Sequence, residues 1–221
     1  MIVVHHLEKS RSHRIIWLLE ELKLEYQIKT YFRDPVTNLA PSEMKEIHPL
    51  GKSPIVTTDD LVLAESGAII DTLIDKYAQG RLKPNDKSDD MIRYQYWMHA
   101  AEGSLMPMLI LKLIFLKLET VPPWFIRPIS RAISRKINSA YIMPNIKNLL
   151  SYMESELSKY DWFAGDQFSA ADIQMSYGVE ALCNHDEVIK NCPNLKNYFE
   201  KIKARGAYQI AIEKGGPRFP I

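Results

Sequence analysis

Two short segments of this 221-residue chain carry groups suited to holding a small peptide-like zwitterion. One is Lys52-Ser53-Pro54; eleven residues after its proline comes the other, Glu65-Ser66. A proline entering a strand gives up a backbone donor, and such an X-Pro bond can be cis, which usually marks a tight turn. That turn would leave the N–H and C=O of Ser53 free to pair with an extended ligand as another strand would. Glu65 and Ser66 open the next helix, whose unpaired N–H groups and positive dipole end favour a carboxylate. The Glu65 carboxylate can take an amine at the same place. The ligand implied has an α-amino-acid head and a peptide-like middle. Either piece alone is usually a plain turn or a plain helix start, so the reading rests on their joint order and spacing.

The elements that must position these groups alternate strand and helix over the first eighty residues. Ile2 to His5 reads as a strand buried on both faces. Ile15, Leu18, Leu19 and Leu22 follow the i, i+3, i+4, i+7 spacing of one buried helical stripe. Tyr26, Ile28 and Thr30 alternate with polar neighbours as a second strand, parallel to the first because a helix connects them. Pro35 and Pro41 mark a loop with a short helix from Ser42 to Ile47, and His48 to Pro54 is dense in breakers. Ile55–Thr57 and Leu61–Leu63 form a hairpin about Thr58-Asp59-Asp60. A helix carrying Ile69, Ile70, Leu73, Ile74 and Tyr77 then ends at Gly80. This order, β-α-β then β-β-α, predicts an α/β thioredoxin-like domain over 1–80 with a mixed four-stranded sheet. The polar stretch 81–90, containing Lys83-Pro84-Asn85-Asp86, reads as a linker. Residues 91–221 show no strand pattern and predict an all-α helical bundle domain. Its helical segments are Met91–Leu118, Trp124–Lys159, Ala170–Cys183 and Asn194–Ala204, with Pro107, Pro122-Pro123 and Pro144 expected to kink or divide them.

Glutathione has the anatomy the two segments ask for: a γ-glutamyl head for Glu65-Ser66, a cysteinyl backbone for Ser53 and a glycyl carboxylate near Lys52. The run His48-Pro49-Leu50-Gly51-Lys52-Ser53-Pro54, taken with Ala64-Glu65-Ser66-Gly67-Ala68-Ile69, resembles the glutathione-site signature of the soluble glutathione transferases. The resemblance extends to Trp17-Leu18-Leu19-Glu20-Glu21-Leu22 and, in the second half, to the capping box Ser169-Ala170-Ala171-Asp172. It implies a cytoplasmic homodimer with two active sites that conjugates glutathione, as co-substrate and without metal, to small apolar electrophiles in detoxification. Serine after the first strand is the pattern of several transferase classes, which implies Ser10 as the donor to the glutathione sulfur. A free thiol titrates at about 8.5 and is lowered by such partners. The residues themselves leave Ser12, Arg11 and His13 open as rivals, and a serine here can simply cap the helix. In related dimers a polar residue of the helix through Ala101-Glu102-Gly103-Ser104 approaches the neighbouring glutathione; Glu102 is the candidate, a solvated surface charge the plainer expectation. Met106, Leu109 and Trp124 are candidates for an apolar electrophile pocket, although a stripe of that spacing is more often core. The same scaffold supports glutathione-dependent isomerases, reductases and dehalogenases. A non-catalytic glutathione-binding interaction protein is the remaining alternative.

Composition narrows the classes. With 28 basic and 27 acidic side chains the chain lacks the cationic excess of a nucleic-acid binder. Cys183 and Cys192, its two cysteines, form no CxxC motif and fit a reducing compartment. The six histidines lack metal-ligand spacing, and His5-His6 reads as structural. Leu105–Leu118 is too short and too interrupted by Lys112 and Lys117 to span a bilayer. Arg127, Arg131 and Arg135, opposite Ile129, Ile133 and Ile137, suit an anionic membrane but are expected to be the solvated face of a bundle helix, so membrane association is not favoured.

Overall fold

The computed structural model describes residues 1–85 and 87–216; Asp86 of the expected linker and residues 217–221 of the expected second domain lie outside it. Strand β1 (Ile2–Leu7) is the axis of the first half. It pairs in parallel with β2 (Tyr26–Tyr31), reached through helix α1 (His13–Leu22), and antiparallel with β3 (Ile55–Thr57), which pairs antiparallel with β4 (Val62–Ala64). The order β2-β1-β3-β4 is the expected mixed four-stranded sheet. Short α2 (Glu43–Ile47) and α3 (Ser66–Tyr77) complete this half. Leu61 belongs to the turn and not to β4, because its carbonyl accepts from the Thr58 N–H at 2.8 Å and its own N–H donates to the Thr58 hydroxyl.

The second half is helical: α4 (Asp89–Ala100), α5 (Met106–Leu118), α6 (Arg127–Ile137), α7 (Met143–Leu157), α8 (Ala170–Cys183), α9 (Asp186–Asn191), α10 (Pro193–Lys203) and α11 (Gly206–Gly215). Pro122-Pro123 does separate α5 from α6, as expected. Pro107 and Pro144 do not divide their helices. Each follows a five-residue π turn, Ala101–Leu105 or Asn138–Ile142, and the helix continues. A proline offers no N–H and crowds the carbonyl four residues back; the wider i→i+5 turn re-routes the bonding just before it.

Helix α6 also departs from expectation. Ser134 is buried and donates to the Phe115 carbonyl at 2.8 Å, while Arg127 and Arg131 donate to the carbonyls of Pro122 and Glu119. Thus α6 packs its serine side on α5 and leaves Ile129 and Ile133 exposed. No helix among the described residues is long and apolar enough to cross a membrane.

Helix α1 is the structural centre. Ile15, Ile16, Trp17, Leu18 and Leu19 are all fully buried, so every face of the helix is covered. Its neighbours are α11, α8, α3 and strand β1. Trp17 meets Tyr208 of α11 edge-on at 5.1 Å, and Arg205, just before α11, forms a forked pair with Glu21 at 2.6 and 2.8 Å.

Asp172 opens α8 and is fully buried. It accepts from the N–H of Phe163 (3.0 Å), the N–H and hydroxyl of Ser169 (2.8 and 3.1 Å) and the Tyr198 hydroxyl (3.1 Å). Burial nevertheless pushes its carboxyl up to about 6 against the pull of these donors. The folded pKa thus exceeds the unfolded value of about 3.9, so the folded chain holds this proton more tightly. The group favours folding most below about pH 4, and the advantage is lost as pH rises through about 6. Urea unfolding of the parent and Asp172→Asn across pH 4–7 is expected to show the parent gaining about 2 kcal/mol relative to the variant on acidification. Parallel pH curves would contradict this.

Candidate active site

The site is built where β1 gives way to α1. Lys9 takes φ 52°, turning the chain so that Ser10 and Ser12 face inward, and both hydroxyls are buried. Ser10 Oγ lies 2.9 Å from Ser53 Oγ and 2.8 Å from Ser12 Oγ. Ser12 Oγ lies 2.7 Å from His6 Nδ1, and His6 Nε2 lies 2.9 Å from the carbonyl of Gly215. A carbonyl can only accept, so Nε2 carries the imidazole proton and Nδ1 is the acceptor. Burial lowers the His6 pKa, outweighing the upward pull of the Gly215 carbonyl and of Glu8, so the ring is neutral near pH 7.

Ser53 stands just before β3, and the Ser53–Pro54 bond is cis. Ser53 and Pro54 are buried and Lys52 is exposed. Gly51 has φ 57°, and a Cβ there would sit 2.7 Å from Lys45 Cγ, so the turn before Lys52 requires glycine.

At the start of α3, Glu65 holds φ 67°, a region sparsely populated by residues with a Cβ and costing on the order of 1–3 kcal/mol. Its side chain is exposed, while Ser66 is buried. Ser66 Oγ accepts from Arg14 Nη1 at 3.2 Å. Arg14, 1% exposed, also pairs with Glu102, which pairs in turn with Arg11. Burial pushes the Arg14 guanidinium down to about 10, with Glu102 opposing, so it stays charged at neutral pH. For Glu102 burial is again the largest influence and acts upward, yet Arg14 and Arg11 together hold the carboxyl below its ordinary range. Arg14 Nε and Nη2 are buried without a protein partner.

The segment 10–14 therefore touches both halves of the sequence-derived site, Ser53 through Ser10 and Ser66 through Arg14. Among the rivals of Ser10, Ser12 is fully buried between Ser10 and His6, Arg11 is paired with Glu102, and His13 is buried edge-on to His6 at 5.1 Å between ring centroids. Glu102 is not the solvated surface charge expected; it lies in the π turn and bridges the helical half to α1. Arg14 and Gly215 escaped the sequence reading, and His6 was read as structural only. Arg14 was hidden in the polar run Ser10-Arg11-Ser12-His13, although it lies four residues before Leu18 and eight before Leu22, on their buried stripe.

Residues 1–72 match the glutathione S-transferase N-terminal domain and residues 130–208 the glutathione S-transferase C-terminal domain. The chain is 39% identical over 215 residues to glutathione S-transferase 3 of Schizosaccharomyces pombe, covering 97% of this chain and 88% of that one. The chain belongs to the glutathione S-transferase family of enzymes. Glutathione S-transferase 1 of Saccharomyces cerevisiae is 32% identical over 223 residues, covering 97% and 95% of the two chains. The crystal structure of a glutathione S-transferase from Actinobacillus pleuropneumoniae superposes with a TM-score of 0.75 at 34% identity, covering 97% and 93%. On this transferase scaffold Met106 is buried, Leu109 is half-buried and Trp124 is 79% exposed. Met106 opens α5, whereas Trp124 lies beyond its end in the turn before α6. A cleft of about 810 Å³ bounded by Met143, Ile146, Leu150 and Cys192 shares none of the residues of the Ser10 site.

Proposed function

We propose that this transferase conjugates the thiolate of bound glutathione to small apolar electrophiles, with Ser10 as the hydroxyl that stabilises the sulfur anion. The observation that carries the reading is the 2.9 Å contact of Ser10 with Ser53, the residue matched to the cysteinyl part of the ligand. Lys52 takes the glycyl carboxylate, Ser53 pairs with the cysteinyl backbone in the turn shaped by Pro54, and Ser66 with Glu65 holds the γ-glutamyl head. The buried charge of Arg14 behind Ser66 supports a carboxylate there, and its two unpartnered N–H groups add donors in the same corner. The sulfur forms a bond to the electrophilic carbon while the leaving group departs with its electron pair, and holding both reactants in line supplies much of the rate. The electrophile lies against α5, with Met106 and Leu109 at its base and Trp124 at the far end. The working unit is a cytoplasmic homodimer.

The test is direct. Glutathione at a hundred times its Kd should stabilise the protein by about 2.7 kcal/mol, read as a rise in Tm. The loaded protein should convert a haloarene faster than it reduces a disulfide or isomerises a maleyl compound. No thermal shift with glutathione would end the reading; a preference for the disulfide or the maleyl compound would keep the site and replace the reaction.

A further inference from the structure

Thiolate formation needs somewhere for the thiol proton to go, and Ser10 cannot keep it. The directions of the hydrogen bonds in the site identify a destination. His6 Nε2–H donates to Gly215 O, which leaves Nδ1 to accept from Ser12 Oγ–H at 2.7 Å. With its proton committed to His6, Ser12 Oγ accepts from Ser10 Oγ–H at 2.8 Å. Ser10 Oγ in turn accepts from the Ser53 hydroxyl at 2.9 Å and from the Ser12 N–H at 3.3 Å. At rest, then, the Ser10 proton points inward, and an incoming thiol takes the place of the Ser53 hydroxyl at the outer lone pair.

The geometry points to His6 as the proton acceptor for the glutathione thiol, working at a distance through the hydroxyls of Ser10 and Ser12. This rests on the proposal that the thiol lies at Ser10. The thiol proton passes to Ser10 Oγ, the Ser10 proton to Ser12 Oγ, and the Ser12 proton to His6 Nδ1. One proton leaves sulfur, one arrives on imidazole, and both serines end neutral. The Ser10–Ser12 and Ser12–His6 bonds both reverse, so Ser10 finishes as a donor to the sulfur anion, the role a thiolate stabiliser must fill. The resulting imidazolium has both N–H groups satisfied, one by Ser12 and one by the Gly215 carbonyl.

The surroundings of His6 suit this task. The ring is buried and neutral at rest with the Nδ1 lone pair on Ser12, and although burial works against the charged form, the Gly215 carbonyl works for it. Glu8, in the turn just after β1, favours the charged form. From α1 the facing groups are Ser12 and the His13 ring, edge-on at 5.1 Å; from α11 the facing group is the backbone carbonyl of Gly215. A Cβ on residue 215 would lie 2.3 Å from His13 Cε1, so only glycine brings that carbonyl within reach of His6. Neither Glu8 nor the carbonyl needs to move. His6 touches no reacting atom; it acts through Ser12 and Ser10 and is a positioning residue and proton reservoir.

The test uses the full chain with ring-nitrogen-labelled histidine, followed by NMR at neutral pH, alongside ultraviolet titration of the bound thiol. Glutathione should move the His6 nitrogens from the Nε2–H form to the doubly protonated form, whereas S-methylglutathione, which has no thiol proton, should leave them unchanged. Ser12→Ala should raise the pH at which the bound thiol ionises by about one unit, a tenfold loss of thiolate, and Ser12→Thr should restore it. A merely structural role of Ser12 would not produce the difference between the two ligands at His6. A bound thiolate with His6 still singly protonated, or an unchanged titration in Ser12→Ala, overturns the relay and leaves the Ser10 assignment standing. A parent that binds glutathione without ionising it removes the Ser10 assignment and the relay with it.

Discussion

Glu102→Ala is expected to lower the unfolding free energy by about 4 kcal/mol, because removing one member of a buried pair strands the other. Arg14 is 1% exposed and has Glu102 as its ion-pair partner. A guanidinium is not deprotonated in proteins, so Arg14 keeps its charge when Glu102 is removed. The variant must therefore carry a buried cation with no counterion, and Arg11 loses the same partner. Urea unfolding should show a fall in midpoint with little change in slope. Combining Glu102→Ala with Arg14→Met should recover most of the loss, since an apolar side chain of similar length tolerates that environment. The double variant would still bind glutathione poorly, because Ser66 loses its donor. An additive double variant, more damaged than either single one, would contradict the pairing.

Ser10→Ala is expected to retain glutathione but to lower kcat/KM by about a hundredfold or more near neutral pH, in the range ordinary for loss of a positioned proton-transfer group. The tripeptide contacts proposed for Lys52, Ser53, Glu65 and Ser66 would stay in place, so the thermal shift with glutathione should persist. Ultraviolet titration of the bound thiol should show its ionisation moving toward the free value of about 8.5. Raising the pH should return much of the lost rate, because hydroxide then does what the site no longer can. A variant with the parental titration would move the role to Arg11, Ser12 or a backbone N–H.

The mixed sheet and the order of elements along the chain were readable because the signals were local. Alternation in β2, the stripe of α1 and the breakers before Pro54 each span only a few residues, and the right-handed crossover rule joins them. The irregularity at Ala101-Glu102-Gly103-Ser104 was visible too, but its meaning was not. Glu102 is 88 residues from Arg14, and nothing in either neighbourhood announces the other. His6 looked like a structural strand histidine, and by packing it is one; its partner carbonyl belongs to Gly215, 209 residues away. Helix α11 was missed altogether. Glycines at both ends, Gly206 and Gly215, imitate loop punctuation, and the surface that stabilises it is the second face of α1.

That last contact sets an order of assembly. Translation delivers α1 among the first elements and α11 as the last described one, so Trp17 must wait for Tyr208 before its ring is covered. A nascent chain arrested before residue 206 can zip its strands yet keeps one flank of α1 wet and adhesive, an invitation to holdase chaperones or to misassociation. Closing a loop of nearly the whole sequence is also entropically late, which predicts slow final docking after a fast early collapse. Maturation of the thiol-handling apparatus would therefore coincide with the last step of folding and not the first.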